Sequence, residues 1–154
     1  MTRRRRLQDV TDTSRVGLTA IEGTVTGPTG KQANVEFLVD SGAKYTLLPH
    51  EVWTRLDLVA KRAARFLLAD GARIERSISE CHIALPEGDG HTPVILGQPG
   101  DVALLGSVTL EELGLVFYPF DRSLRRSELS MLAWQALTAT SRRPGVRQQR
   151  DAHP

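Results

Sequence analysis

The stretch Phe37-Leu38-Val39-Asp40-Ser41-Gly42-Ala43 decides how this chain is interpreted. Residues 33–40 alternate between polar and apolar side chains and then become continuously apolar, a pattern typical of a strand that runs from a half-exposed edge into a buried centre. A carboxylate at the end of such a strand is costly to bury as a charge. Gly42 permits a sharp turn after it, and the Ser41 hydroxyl can lock that turn by bonding neighbouring backbone. The stretch therefore predicts a carboxylate held rigidly at the tip of a loop and backed by a core.

Short strands and turn signals surround this stretch on both sides. Residues 16–25 favour a first strand, and the turn signal at 27–30 predicts that this strand forms a hairpin with residues 33–40. The pair Asp70-Gly71, a favoured combination for a tight turn, predicts a second hairpin over residues 66–77. The strand that leaves this turn is expected to continue through 81–85. Further strands are expected at 93–96, 102–106 and 115–118, with turns at 87–90 and 98–101.

Two short helices complete the predicted elements. Pro49 begins the first, because the apolar residues after it are spaced to share one helix face. Thr109 is expected to be the N-cap of the second helix, since Glu112 completes a capping box three residues later, and Gly114 ends that helix. These elements together predict a mostly-β fold, a small closed or partly open β-barrel with one or two short helices.

Length and composition indicate one globular domain. The chain has 154 residues, of which 40% are hydrophobic and 25% charged. No apolar run approaches the roughly 18 residues of a membrane-spanning helix, and no apolar segment follows the basic start as a signal peptide requires. Cys81 is the only cysteine, which excludes an intrachain disulfide and fits a reducing compartment. The sequence therefore predicts a cytoplasmic protein with no membrane partner.

Basic residues are concentrated at the two ends of the chain. Residues 16–120 hold 8 Lys and Arg against 13 Asp and Glu, whereas the two ends together hold 12 against 5. We interpret residues 1–15 as a disordered basic arm, 16–133 as the folded domain and 134–154 as a disordered tail. The alternative is that the arm contacts nucleic acid. Since no aromatic or folded motif accompanies its charge, nucleic acid is not expected as a partner.

Three features of the sequence resemble the retropepsin-like aspartic proteases, most closely those of bacteria. The run Asp40-Ser41-Gly42-Ala43 resembles their Asp-Thr/Ser-Gly-Ala signature. The run Leu104-Leu105-Gly106 resembles the element that passes behind the catalytic loop of that family and supports it. Its glycine, Gly106, lies 66 positions after Asp40. The hairpin over residues 66–77 lies where the family has its flap, and its tip is Leu68-Ala69-Asp70-Gly71-Ala72. The resemblance covers about residues 17–120.

The resemblance implies a retropepsin-type barrel and a peptidase that needs no cofactor and no metal. In that family two aspartates activate one water, and this chain has a single Asp-Ser-Gly. The second carboxylate must then come from a second copy, which predicts a homodimer with Asp40 of each subunit at the two-fold axis. The implied substrate is a peptide or protein, held under the flap. Residues 128–133 are a candidate strand of a sheet between the subunits.

Other interpretations of the same residues remain. The chain can be a non-catalytic dimeric module that binds peptides with the same fold, or a nucleic-acid-associated protein that acts through its basic ends. The neighbours Cys81 and His82 suggest a thiol nucleophile, but no third orienting group is evident. The four histidines are scattered and, with one cysteine, offer no metal site.

Overall fold

A computed structural model of the chain describes residues 18–127, in which nine strands and two short helices form a mostly-β fold. The strands and helices, in chain order, are β1 (Thr19–Thr26), β2 (Gln32–Val39), β3 (Thr46–Leu48), α1 (His50–Arg55), β4 (Arg62–Leu67), β5 (Arg73–Leu85), β6 (Gly88–Leu96), β7 (Leu104–Leu105), α2 (Ser107–Glu112), β8 (Leu115–Tyr118) and β9 (Ser123–Arg126). The predicted mostly-β fold with short helices is thereby confirmed.

Seven of the strands form one sheet, in the order β1-β2-β7-β3-β6-β5-β4. Strand β1 also pairs with β5, so that β1, β2, β7, β3, β6 and β5 form a closed ring. Strand β4 lies outside the ring and pairs with β5 alone. The remaining strands, β8 and β9, form a separate two-stranded sheet.

The core fills the inside of the ring, and the alternation of apolar residues places it there. Along β2, the buried residues Ala33, Val35, Phe37 and Val39 alternate with more exposed ones, as expected of a strand with one face on the core. The predicted hairpin of β1 and β2 is confirmed, with Thr19 opposite Val39 and Thr26 opposite Gln32.

Helix α1 covers one side of this core. It begins after Pro49, as predicted, and its last turn leads to Leu56, which is fully buried. Val52 and Trp53, which are partly buried, also pack against this core. The Trp53 indole N–H donates to the Gly97 carbonyl at 2.8 Å, which satisfies the polar atom of this partly buried side chain.

Two local predictions are wrong. The turn expected at 87–90 lies at Pro86 and Glu87 instead, and β6 begins at Gly88. Gly88 and Gly90 face Leu113 at the end of α2, where small residues allow a close approach. This packing against α2 outweighs the preference of residues 88–90 for a turn, and the segment forms a strand.

The predicted N-cap of the second helix is also wrong, because α2 begins at Ser107 with Gly106 as its N-cap. Thr109 is fully buried within the helix, where its hydroxyl has partners on two strands. The predicted end at Gly114 is confirmed, since this glycine has a φ of 66°, in the left-handed region that favours glycine.

The predicted arm at 1–15, the tail at 134–154 and the candidate interface strand at 128–133 lie outside the described residues. Neither helix of residues 18–127 has the length and apolar character needed to cross a membrane.

Candidate active site

The loop after β2 is closed by the carboxylate of Asp40. Its Oδ1 accepts the Gly42 N–H at 3.0 Å, and its main-chain carbonyl accepts the Ala43 N–H at 3.1 Å. The predicted lock by the Ser41 hydroxyl is therefore corrected: the aspartate side chain closes the turn, and Ser41 is exposed. Asp40 itself is half-buried, so one part of its carboxylate is held by backbone while the residue keeps access to solvent.

Strand β7 lies directly beside the strand that ends at Asp40. It runs parallel to β2, with Leu104 opposite Leu38 and Leu105 opposite Val39. The N–H of Asp40 donates to the Leu105 carbonyl at 3.1 Å. The backbone of Asp40 is thus fixed by the apolar pair that the sequence analysis assigned to loop support.

The start of α2 anchors the other side of the loop. The Ser107 N–H donates to the Ala43 carbonyl and the Val108 N–H donates to the Lys44 carbonyl, both at 2.9 Å. The two donors belong to the first turn of the helix, where N–H groups have no partner within the helix. Both ends of the Asp40 loop are therefore attached to one continuous segment, residues 104–108.

Gly106 joins β7 to α2 at a point where no side chain fits. A Cβ at this position would lie 2.4 Å from the Tyr45 carbonyl carbon, 2.7 Å from its oxygen and 2.8 Å from the Lys44 oxygen. All three atoms are backbone, so they cannot move aside as the end of a flexible side chain can. Gly106 is thus required by the close approach of the loop to β7.

Three buried threonines lie beneath this junction. The hydroxyl of Thr109 is 2.6 Å from that of Thr46 and 2.8 Å from that of Thr92. Thr46 Oγ1 accepts the Gly106 N–H at 3.0 Å, and Thr92 Oγ1 lies 3.5 Å from the Pro93 carbonyl oxygen. One direction of donation satisfies every group: Gly106 to Thr46, Thr46 to Thr109, Thr109 to Thr92, and Thr92 to Pro93. Sequence analysis missed this chain of hydroxyls, because threonine in a strand usually indicates a half-exposed position.

The predicted hairpin over 66–77 is present as β4 and β5. Its tip is closed by the Gly71 N–H on the Leu68 carbonyl at 2.9 Å and the Leu68 N–H on the Ala72 carbonyl at 2.8 Å. Only Gly71 in the tip has a positive φ, 84°. The Asp70 carboxylate accepts the Ala72 N–H at 2.9 Å, which identifies Asp70 as a turn former within this tip. Leu68 and Ala69 are exposed there.

A groove of about 440 Å³ separates the Asp40 loop from this hairpin. Residues from the loop and β3 form one wall, residues from both strands of the hairpin form the opposite wall, and Ile95 and Leu104 lie between them. The structure thus brings Gly42, Ala43, Leu104 and Leu68, all predicted site residues, to one cavity, whereas Asp40 is not among the residues that line it.

Tyr45 connects the two walls. Its hydroxyl accepts a hydrogen bond from Arg62 of β4 at 3.3 Å, and its ring meets the Phe66 ring edge to face at 6.1 Å. The hydrogen bond from Arg62 holds the pKa of the Tyr45 phenol below its usual value. Tyr45 and its neighbour Lys44 follow the Asp-Ser-Gly-Ala run directly, yet sequence analysis gave neither a role, because no pattern links them to the hairpin.

Cys81 is unsuited to be a nucleophile. Its thiol is buried, and desolvation raises its pKa to about 12, so that it stays protonated at neutral pH. The strand also places His82 on the opposite face, where its Nε2 lies 2.8 Å from Asp89. Among residues 18–127, no group of three His, Cys, Asp or Glu side chains is arranged to hold a metal ion.

The chain is similar to solved protease structures at low sequence identity. No family model matches the chain, and no curated protein matches it. The solution structure of the simian foamy virus protease has a TM-score of 0.44 and 15% identity, over 60% of this chain and 91% of that one. The retropepsin-like aspartic protease from Rickettsia conorii has a TM-score of 0.42 and 22% identity, over 68% and 87%. The prototype foamy virus protease–reverse transcriptase has a TM-score of 0.44 and 13% identity, over 79% of this chain and 14% of that one. Retropepsin-like proteases are the family that the sequence resembles.

Proposed function

We propose that this protein is an aspartic endopeptidase that acts as a homodimer, with Asp40 of each subunit supplying half of the catalytic pair. The observation that carries the proposal is the setting of Asp40: a half-buried carboxylate in a loop fixed on both sides by residues 104–108, beside a groove with a hairpin on its far wall. Such fixation orients a reacting group before substrate arrives, which lowers the entropic cost of reaction.

The proposed chemistry needs two carboxylates on one water. One takes a proton from the water as it attacks the peptide carbonyl, and the other, protonated, polarises that carbonyl and then protonates the leaving amine. Two carboxylates about 3 Å apart share one proton, because both cannot ionise at that distance; aspartic proteases are the established example of this effect. Since the chain has one Asp-Ser-Gly, a second copy supplies the second carboxylate.

The substrate is proposed to be an extended peptide in the groove. Exposed hairpin residues, Leu67 at 72% and Leu68 at 41% of their surface, offer apolar contact above it. Within the described part of the chain β4 pairs with β5 alone, so its other edge has free backbone groups that a peptide can use. Ser41 is assigned to contacts across the dimer axis, and Gly42 to close approach of the substrate. The cytoplasmic location stays a prediction.

The test is Asp40→Asn in the full chain, assayed on a peptide library at several pH values. The amide oxygen of Asn can still accept the Gly42 N–H, so fold and dimer should persist while hydrolysis falls by at least about 10³-fold. The matched control is Asp89→Asn, which neutralises a surface carboxylate paired with His82 and should keep full activity. Undiminished hydrolysis in Asp40→Asn would contradict the proposal. Peptide binding by the unaltered protein without any hydrolysis would instead assign it as a binding module.

A further inference from the structure

We propose that Lys44 makes the groove selective for peptides that carry an acidic side chain flanked by apolar ones. This inference rests on the proposed peptidase function of the same groove. Charges and apolar surfaces that line the cavity would decide which peptides are accepted.

Lys44 is exposed and forms part of the loop wall of the groove. Its ammonium lies 5.6 Å from the centroid of the Tyr45 ring and forms no salt bridge with any carboxylate of residues 18–127. The two other lysines of this part of the chain are paired, Lys31 with Asp57 and Lys61 with Glu80. Lys44 is therefore the lysine whose charge a ligand can neutralise.

A second cation faces the groove from the hairpin wall. Arg76 is half-buried, and its Nη1 donates to the Glu75 carbonyl at 3.1 Å, with no carboxylate of the described residues in reach for a salt bridge. Arg62 stands behind Tyr45, with its guanidinium carbon 5.8 Å from the ring centroid. Positive charge thus lies on both walls, and a carboxylate between them gains from both.

One carboxylate among the lining residues offsets part of this positive charge. Asp101 also lines the cavity, but its Oδ2 accepts the Gln98 N–H at 2.7 Å and closes the turn before β7. Asp40, which is assigned to the reaction, is not among the residues that line the cavity, and its Oδ1 accepts the Gly42 N–H. Neither aspartate forms a salt bridge with Lys44 or Arg76.

The rest of the lining is apolar and defines the other half of the preference. Leu47, Phe66, Ile74, Ile95 and Leu104 contribute it. Apolar side chains of a peptide would bury these surfaces, which stabilises the complex in proportion to the area removed from water. An extended peptide presents its side chains alternately to opposite sides, so an acidic side chain can meet the cations while its neighbours contact the apolar lining.

The test compares kcat/KM for matched peptides that differ only in Glu, Gln or Lys at one position, scanned along the sequence. The full chain should cleave the Glu peptide about tenfold faster than the Gln peptide at one position, and the Lys peptide more slowly still. Lys44→Glu should reverse the order of the Glu and Lys peptides. The control Arg55→Glu makes the same charge change on α1, outside the groove, and should keep the original order.

The outcomes separate this inference from the proposed function. Cleavage of Glu, Gln and Lys peptides at equal rates would overturn the selectivity while leaving the peptidase intact. If no peptide is cleaved, the peptidase assignment fails, and dissociation constants of the same peptides decide the selectivity. Tighter binding of the Glu peptide that Lys44→Glu reverses would support it, and equal binding or no binding would refute it.

Discussion

At the scale of single residues, the buried hydroxyl of Thr109 has the clearest structural consequence. It is the central member of the chain that links Thr46, Thr92 and the N–H of Gly106. We expect Thr109→Val to lower the free energy of unfolding by about 1–3 kcal/mol, because the shape is kept while two buried hydroxyls lose a partner. Urea unfolding followed by fluorescence of the two tryptophans measures the loss.

The matched control is Thr54→Val, which makes the same replacement at an exposed position of α1. It should change the free energy of unfolding by less than about 0.5 kcal/mol. Equal effects of the two replacements would show that the buried chain of hydroxyls does not stabilise the fold. Thr109→Ser, which keeps the hydroxyl, should recover most of the stability lost in Thr109→Val.

The sequence predicted Asp40 and its supporting pair Leu104 and Leu105, but not the buried hydroxyls beneath the loop. The apolar run before Asp40 and the glycine after it are local signals, and local signals can be found in a single stretch of sequence. The partners of Thr109 lie 63 and 17 positions away, so no local pattern contains them. The apparent capping box at Thr109 was misleading. The hydrogen bonds that its buried hydroxyl makes to residues of two strands outweigh an N-cap bond.

At the scale of elements, the junction of β7 and α2 holds the Asp40 loop. We expect Gly106→Ala to destabilise the protein by about 1–3 kcal/mol or more, since the added methyl group would meet backbone atoms of Lys44 and Tyr45. Peptidase activity should also fall, by more than the loss of folded protein accounts for. The displaced backbone atoms of Lys44 and Tyr45 belong to the segment that continues the Asp40 loop. Thermal unfolding and kcat/KM of one preparation measure both effects.

Gly90→Ala is the control for this element, since a Cβ there meets Leu113 at an ordinary 3.6 Å and Gly90 also lies beside α2. This variant should fold and act like the unaltered protein. An active, fully stable Gly106→Ala would contradict the assigned role of the junction.

Most elements were predictable because their alternation of apolar residues is strong. Strand β6 was predicted to begin too late, because its first residues are turn formers. Packing against α2 places these residues in a strand.

At the scale of the whole molecule, the proposed site is complete only in a dimer. We expect Asp40→Asn subunits to inhibit the unaltered protein when the two are mixed and allowed to exchange. With a tenfold excess of the variant, about one in eleven unaltered subunits would pair with its like, so activity should fall about tenfold. Activity titrations together with the mass in solution by light scattering measure this effect.

A monomeric enzyme would behave differently in that mixture. Its activity would stay proportional to the amount of unaltered protein, whatever the excess of Asp40→Asn. An equal excess of Asp89→Asn, whose subunits keep their catalytic aspartate, should not inhibit. The proposal of a second copy comes from the single Asp-Ser-Gly. The surface that would join the copies could not be predicted, because association depends on the shape of the folded surface.

Strand β5 has a mechanical consequence for access to the groove. Its 13 residues run without interruption from the tip hairpin into the closed ring, and Ile78 is the point where pairing with β4 and pairing with β6 overlap. Any movement of the hairpin away from the groove must therefore bend the continuous two-stranded ribbon near Ile78, since no flexible loop is present there to act as a hinge. The stiffness of that ribbon, more than the composition of the tip, would set how often a polypeptide can enter.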